Sequence, residues 1–430
     1  MTDVSPDTSR GTSSTARRLG ALLALSIGAF LFVTTENLPI GLLLDLSAGL
    51  RVPTSWVGLL VTGYGLVVVL TTIPLTRATR GISSRVLMAA VLGGFVVTTA
   101  ASAASGDFWV LAGARMTTAL SQALFWSLVI PTAAGLFGPA ARGRAVAVVF
   151  AGTSLATVLG IPVGTSLGQA AGWRLPFILL AGVGALAVVA VVVLLPSSSR
   201  SGAVRPHPPG RPEPDPVAQD VDDRFGYRLL VVLTVLFSTG AFVSYTYLAQ
   251  FLVEISSLSA TAVAPVLLLR GLVGLAGVVL AGAAADRWPR ATTVAPLVLQ
   301  SVALLGLFAS GTVPVVAVSL TALAGMAFAV FTTALGTQVL RLAPSRPELA
   351  SAGTSVAMNV GIAGGGFLGG LLLGFGVRGT ALLAGGLSAV AAALALAGPA
   401  LRSAMQHPVA RPGPARPGHD PCVPAAGVHR

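Results

Sequence analysis

Lysine is absent from this 430-residue chain; all 26 basic residues are arginine. Charge of either sign is scarce, with Asp, Glu, Lys and Arg making up 9% of the residues, against about 25% in a soluble protein. There is one cysteine, Cys422, in a proline-rich tail, which excludes a disulfide framework and a cysteine-built metal cluster. The four histidines, His207, His407, His419 and His429, all fall in segments rich in proline and charge. No apolar segment therefore carries a His-based catalytic or metal-ligating constellation. That argues against a membrane enzyme, and neither a cofactor nor a metal ion is expected.

What the chain has instead is apolar surface. Hydrophobic residues make up 54% of it, more than one water-soluble core can use, so lipid is the natural solvent. A helix needs about 20 apolar residues to cross the hydrocarbon core. Twelve runs of that kind are found, the first at 19–44, the sixth at 175–195, the seventh at 229–252 and the last at 380–401. The first run has no small-residue cleavage site and is expected to remain as a span rather than be removed as a signal peptide.

The runs fall into two sets of six. Residues 1–18 are expected to be a disordered N-terminus, 19–195 a six-helix bundle, 196–228 a linker, 229–401 a second six-helix bundle and 402–430 a disordered tail. The linker and the tail are too rich in Pro and charge to pack a core. With the N-terminus placed inside, 21 arginines fall on the cytoplasmic side, three (Arg51, Arg174 and Arg378) on the other, and two (Arg115 and Arg270) within spans. That bias predicts cytoplasmic termini and a cytoplasmic linker. It also argues against a nucleic-acid partner, because the net charge of +12 marks loops rather than one continuous face. Duplicated halves around a central site are a transporter design.

Four stretches carry a resemblance to a known family: TTENLPIGLLLDL at 34–46, RMTTALSQALFWS at 115–127, GTSLATVLGIPVGTSLGQAAGWRLPF at 152–177 and GAAADRWPR at 282–290. Over nearly its whole length the chain resembles the major facilitator superfamily, in particular its drug:proton antiporter branch and the bacterial sugar-efflux, arabinose-efflux and chloramphenicol-resistance permeases. The resemblance implies an all-α membrane protein with twelve transmembrane helices in two pseudo-symmetric bundles. It also implies a monomer in the bacterial cytoplasmic membrane, with protons and a small molecule as its partners.

In the fifth run Gly152, Ala156, Gly160, Gly164 and Gly168 recur every four residues and so share one face, while Pro162 deletes a helical hydrogen bond. In the resembled family this is the antiporter motif, which makes Gly160, Pro162 and Gly164 candidate gating residues; the alternative is plain tight packing. After the eighth run, Asp286, Arg287 and Arg290 match a cytoplasmic latch in that family, the alternative being a solvated turn. The counterpart at 74–85, PLTRATRGISSR, has the arginines but no acid.

Charges inside a span are costly, by about 2.5–3.5 kcal/mol each near the bilayer centre, and are usually functional. Three are present here, Glu36, Arg115 and Arg270. At about 1.5 Å per residue, all three fall roughly 10–13 Å below the outer surface, as a shared polar cavity would require. Glu36 is the one acid well inside a span. It reads either as a proton carrier or as a static partner of Arg115 or Arg270. Pro39 leaves the Thr35 carbonyl free beside it. Arg115 matches a residue tied to proton coupling in the resembled family, or else it is a structural donor to carbonyls. Arg270 reads as a group for an anionic or hydroxyl-rich substrate, or as a neutraliser of Glu36. Asn37, Gln122, Trp126, Tyr245 and Asn359 are further candidates for the cavity, and Tyr247 and Gln250 suit either the cavity or the outer belt. The expected function is export of small organic molecules, drug-like or sugar, by proton antiport. The alternatives are sugar efflux or facilitated transport without proton coupling and, more distantly, a sensor without flux.

Overall fold

A computed structural model describes residues 8–79, 81–138, 141–196, 224–284, 287–342 and 347–397, and among them there is no strand. Twelve helical spans follow one another. In the first half they are α1 (Thr8–Gly41, resuming as Leu43–Leu50), α2 (Thr54–Ala78), α3 (Ser84–Ala104), α4 (Phe108–Gly135), α5 (Arg142–Leu155, Ala156–Gly160 and Ile161–Ala171) and α6 (Arg174–Leu194). In the second they are α7 (Arg224–Tyr245, resuming as Leu248–Glu254), α8 (Val263–Ala284), α9 (Pro289–Ser310), α10 (Pro314–Leu342), α11 (Pro347–Leu372) and α12 (Arg378–Ala397). Eleven are long and apolar enough to cross a membrane. The exception is α4, whose hydropathy is diluted by Arg115, Ser121 and Gln122, residues that build the interior.

Two helices begin inside segments expected to be disordered or linker. α1 starts at Thr8, so 8–18 are helical where disorder is expected, and α7 starts at Arg224, inside the segment read as linker. Helical hydrogen bonding simply continues in frame beyond the membrane-buried part. On α1 the extension is tied down by Arg17, whose guanidinium donates to the carbonyls of Val193 (3.1 Å) and Leu194 (3.3 Å) at the end of α6, a favourable place for a cation. Residues 1–7, 197–223 and 398–430 lie outside the described residues, as does Asp286.

The two halves use one turn twice. Gly172 (φ 91°) ends α5 and Gly376 (φ 96°) follows α11, each at a backbone conformation that L side chains rarely adopt. Two residues after each glycine comes an arginine that caps a neighbouring helix. Arg174 donates to Ser105 O at the end of α3 (2.9 Å), and Arg378 donates to Phe308 O (2.7 Å) and Ala309 O (3.1 Å) at the end of α9.

Glycine stripes then bring helices together within each half. Gly152, Gly160, Gly164 and Gly168 of α5 pack against Ser26, Thr34, Leu38 and Leu42 of α1. Gly361, Gly365 and Gly369 of α11 do the same against α7, meeting Ser238, Phe242 and Tyr247. Between the halves α2 packs on α11 and α5 on α8. Among the described residues the cross-half hydrogen bonds lie at the end of the bundle opposite the start of α1 and the end of α12, here termed the far end. Thr54 of α2 donates to Gln250 (2.8 Å), and Gln169 of α5 donates to Ala260 O (2.7 Å).

Candidate functional site

A cavity of about 410 Å³ lies between the halves, within the range of small-molecule sites. α1 contributes Glu36 and Asn37, α4 Trp126, α7 Tyr245 and α8 Arg270, so one side of the cavity comes from each half. The remaining wall is largely apolar, including Phe242, Leu275 and Phe328.

The floor around Glu36 starts from a proline. Pro39 has no N–H to give the Thr35 carbonyl and interrupts the ladder of α1. Arg115, fully buried on α4, occupies the gap: Nη1 donates to Thr35 O (2.6 Å) and Nη2 to Glu36 O (3.0 Å). Its guanidinium also lies over the Tyr64 ring of α2, 4.9 Å from the centroid. The planar fork thus joins three helices, which an ammonium could not do with the same geometry.

The Glu36 carboxylate is held by an amide instead. Gln122 Nε2 donates to one carboxylate oxygen (2.9 Å), and the Tyr64 hydroxyl donates to Gln122 Oε1 (2.7 Å), which fixes the direction of the amide. The static ion pair considered from sequence is therefore not the arrangement found. Arg115 reaches main-chain oxygens, and the Arg270 guanidinium donates to Thr321 O of α10 (3.1 Å) and lies over Tyr245, 4.4 Å from the ring centroid and within reach of its hydroxyl.

The other sequence candidates sort by position. Glu36, Asn37, Trp126, Tyr245 and Arg270 line the cavity. Gln122 is one layer behind, reaching it through Glu36. Asn359 is not among the lining residues. Its side-chain amide donates to Ser355 O of its own helix (3.0 Å), and its main-chain carbonyl faces Gly65 of α2, while Met358 and Ile362 face the cavity from α11. Tyr247 is fully buried at the far end, where its hydroxyl donates to Gly366 O (2.9 Å) and packs on Gly58 of the other half. Gly160 and Gly164 lie along the α1–α5 contact, and Pro162 is buried between them in the sequence of α5. Ala156–Gly160 form a π turn in which Ile161 N–H reaches back to Ala156 O, a register consistent with the missing N–H of Pro162. Arg287 and Arg290 flank the start of α9; their supposed partner Asp286 lies outside the described residues.

Sequence reasoning missed Tyr64, Thr321 and Gly325. Tyr64 resembles any aromatic in an apolar run, and only its place opposite Gln122 reveals it. A side chain at Gly325 would strike Arg270 Cγ, so that glycine makes room for the half-buried arginine.

Known proteins agree with this architecture. Residues 25–294 and 229–428 match the family profile described as Major Facilitator Superfamily. The chain is 32% identical over 390 residues to the uncharacterized MFS-type transporter YtbD of Bacillus subtilis (strain 168), covering 89% of this chain and 96% of that one. It is 31% identical over 352 residues to a "probable sugar efflux transporter" of Helicobacter acinonychis (strain Sheeba), covering 82% and 88%. Among solved structures, a bacterial homolog of the human lysosomal transporter Spinster, inward-facing and unoccupied, superposes with a TM-score of 0.69 at 15% identity, covering 91% of this chain and 99% of that one. A POT family transporter in complex with 5-aminolevulinic acid gives 0.72 at 12% identity, covering 88% and 94%. At those identities the structural likeness speaks for the fold alone.

Proposed function

The chain belongs to the Major Facilitator Superfamily and is a multi-pass membrane transporter rather than an enzyme; from that premise we propose that it exports a sugar-like small molecule across the bacterial cytoplasmic membrane by alternating access, in exchange for protons. The relative named for sugar efflux supports the cargo class. The arginine asymmetry supports cytoplasmic termini, which makes the far end the outer one. In that orientation the cross-half bonds at Thr54 and Gln169 join the halves on the outer side, which supports a form closed to the outside.

The observation that carries the coupling is that Glu36 is, among the described residues, the one carboxylate lining the cavity and is held by Gln122 rather than by a guanidinium. An ionised carboxylate offers acceptor sites to sugar hydroxyls, and a protonated one offers fewer. Proton and cargo then compete for the same oxygen, which is the requirement for antiport. Gln122, itself oriented by Tyr64, keeps the carboxylate pointed in either state. A cavity lined within one chain supports action as a monomer.

The test is accumulation of labelled sugars and neutral antibiotics in cells expressing the native chain, Glu36→Gln or an empty vector. Lower accumulation of a sugar with the native chain but not with the variant is the expected result. Equal lowering by both would leave export standing and make Glu36 structural, and with it the uniport reading. Lowering of the antibiotics alone would replace the sugar-like cargo with a drug-like one, which the apolar part of the wall could accommodate.

A further inference from the structure

The interior charges of this cavity do not balance. Arg115 lies behind Glu36 and bonds its main-chain carbonyl, so that in the first half one guanidinium accompanies one carboxylate. In the second half Arg270 lines the cavity, and among the described residues no acid from that half lines it. The other acids with described side chains, Asp45, Asp107 and Glu254, all sit at the far end of their helices. Of the five N–H donors on a guanidinium, the hydrogen bond to Thr321 O uses one and the Tyr245 hydroxyl can take another, while the Tyr245 ring covers a face, so at least two donors stay available.

The position is also a built one. Gly325 clears the path of the Arg270 side chain. Behind it a chamber of about 10 Å³, lined also by Tyr245, Gln300 and Thr321, has room for about one water. Gln300 Oε1 and Thr321 Oγ1, both on residues almost fully buried, have no hydrogen-bond partner there. The next residue, Gly271, makes the close approach of α8 to the Thr157 carbonyl in the π turn of α5. A group bound at Arg270 therefore sits beside a contact between the two halves.

We propose that Arg270 is the receptor for a carboxylate on the transported molecule, so that the cargo is an acidic sugar-like compound rather than a neutral one. Its carboxylate meets the free edge of the guanidinium, where planar two-point pairing is available, and its hydroxyls face Glu36 and Asn37 across the cavity. Binding brings the summed charge of Glu36, Arg115, Arg270 and cargo to zero. An exported anion also gains from an interior-negative potential, by about fiftyfold in its gradient per 100 mV. This inference rests on the sugar-like cargo proposed above.

The experiment is counterflow in proteoliposomes holding the purified full chain, with matched labelled probes: D-glucose against D-glucuronate and D-galactose against D-galacturonate. Arg270→Gln and Arg270→Lys are compared with the native chain after their thermal unfolding in detergent has been checked. The expected result is exchange of the acids in preference to the sugars, lowered on the order of thirtyfold or more by Arg270→Gln and less by Arg270→Lys. Exchange of the neutral sugars at the same rate as the acids, with Arg270→Gln slowing both alike, would make Arg270 structural and overturn the proposal while sugar transport stands. Exchange of neither class would remove the sugar-like reading, and this proposal with it. A variant that unfolds early is replaced by Gly325→Ala, which crowds the Arg270 side chain and should lower acid exchange selectively. Equal effects of that variant on both classes would again count against the proposal.

Discussion

Arg115 shows how one residue can satisfy several demands in lipid. A bare carbonyl in the hydrocarbon region has no water to turn to, so the gap left by Pro39 needs a donor from elsewhere. The guanidinium supplies two donors to α1 and a flat face to Tyr64 at once. Arg115→Ala is expected to destabilise the protein by about 3 kcal/mol, since two charge-assisted hydrogen bonds go and their acceptors stay buried. Arg115→Lys should recover less than half, because an ammonium cannot span both carbonyls and stack on the ring. Thermal unfolding in detergent reads both variants, and a lysine variant as stable as the native chain would refute the role given to the fork. The sequence alone pointed to this residue and to the freed Thr35 carbonyl, since an arginine in a span and a proline in a helix are both conspicuous. It could not show that they meet, because α1 and α4 are separated by 80 positions in the chain between Thr35 and Arg115. Tyr64 was beyond reach for a different reason: a tyrosine in an apolar run carries no mark of whether its hydroxyl faces lipid, cavity or an amide.

Among the elements, helix number and the division into two sets of six were legible because lipid imposes a length on every span and the arginines punctuate the loops. Helix ends were less so. The starts of α1 and α7 extend past the apolar runs, and those extensions depend on contacts such as Arg17 with α6, which composition does not encode. The repeated turn was hidden by its brevity, a glycine and an arginine two residues apart, yet it places Arg174 and Arg378 on the equivalent neighbour in each half. The glycines are the fixed part of that device. With φ near 91° and 96°, Gly172→Ala and Gly376→Ala should each cost about 1–3 kcal/mol through backbone strain. No neighbouring atom lies within 4 Å of an added Cβ at either position, so crowding cannot be the cause. Matched substitutions at Gly182 and Gly386, helical glycines with equally open surroundings, should be neutral or slightly stabilising. Unfolding measurements in which all four variants behave alike would reject the strain argument. The glycine stripes of α5 and α11 behave alike as well, each seating the first helix of its half, so close packing accounts for the contacts of both. A gating role for Gly160, Pro162 and Gly164 rests instead on the π turn beside them and its contact with Gly271.

For the whole molecule, the distribution of cross-half bonds sets the expectation. Under the alternating access proposed above, the two halves, which meet through α2–α11 and α5–α8, would rock about those contacts, provided the bonds on one side are weak enough to break. The far-end closure has that character: Thr54 with Gln250, Gln169 with a carbonyl and the Tyr247 hydroxyl against Gly58 are neutral contacts between small or flexible groups. Net hydrogen bonds of this kind contribute about 0.5–1.5 kcal/mol each, so their sum lies within what a ligand's differential affinity can shift. A direct check fixes the closure covalently. In a chain with Cys422→Ser, the double variant Thr54→Cys and Gln250→Cys is bridged with a short bis-methanethiosulfonate, which joins the halves where the hydrogen bond now lies. Bridging is expected to stop substrate counterflow while leaving binding from the open side intact, and a reducing agent should restore exchange. The single-cysteine variants treated with the same reagent control for its bulk. Exchange that continues through a complete cross-link would mean that this end does not open during transport, and the cargo's route would then have to leave the interface between the halves by another path.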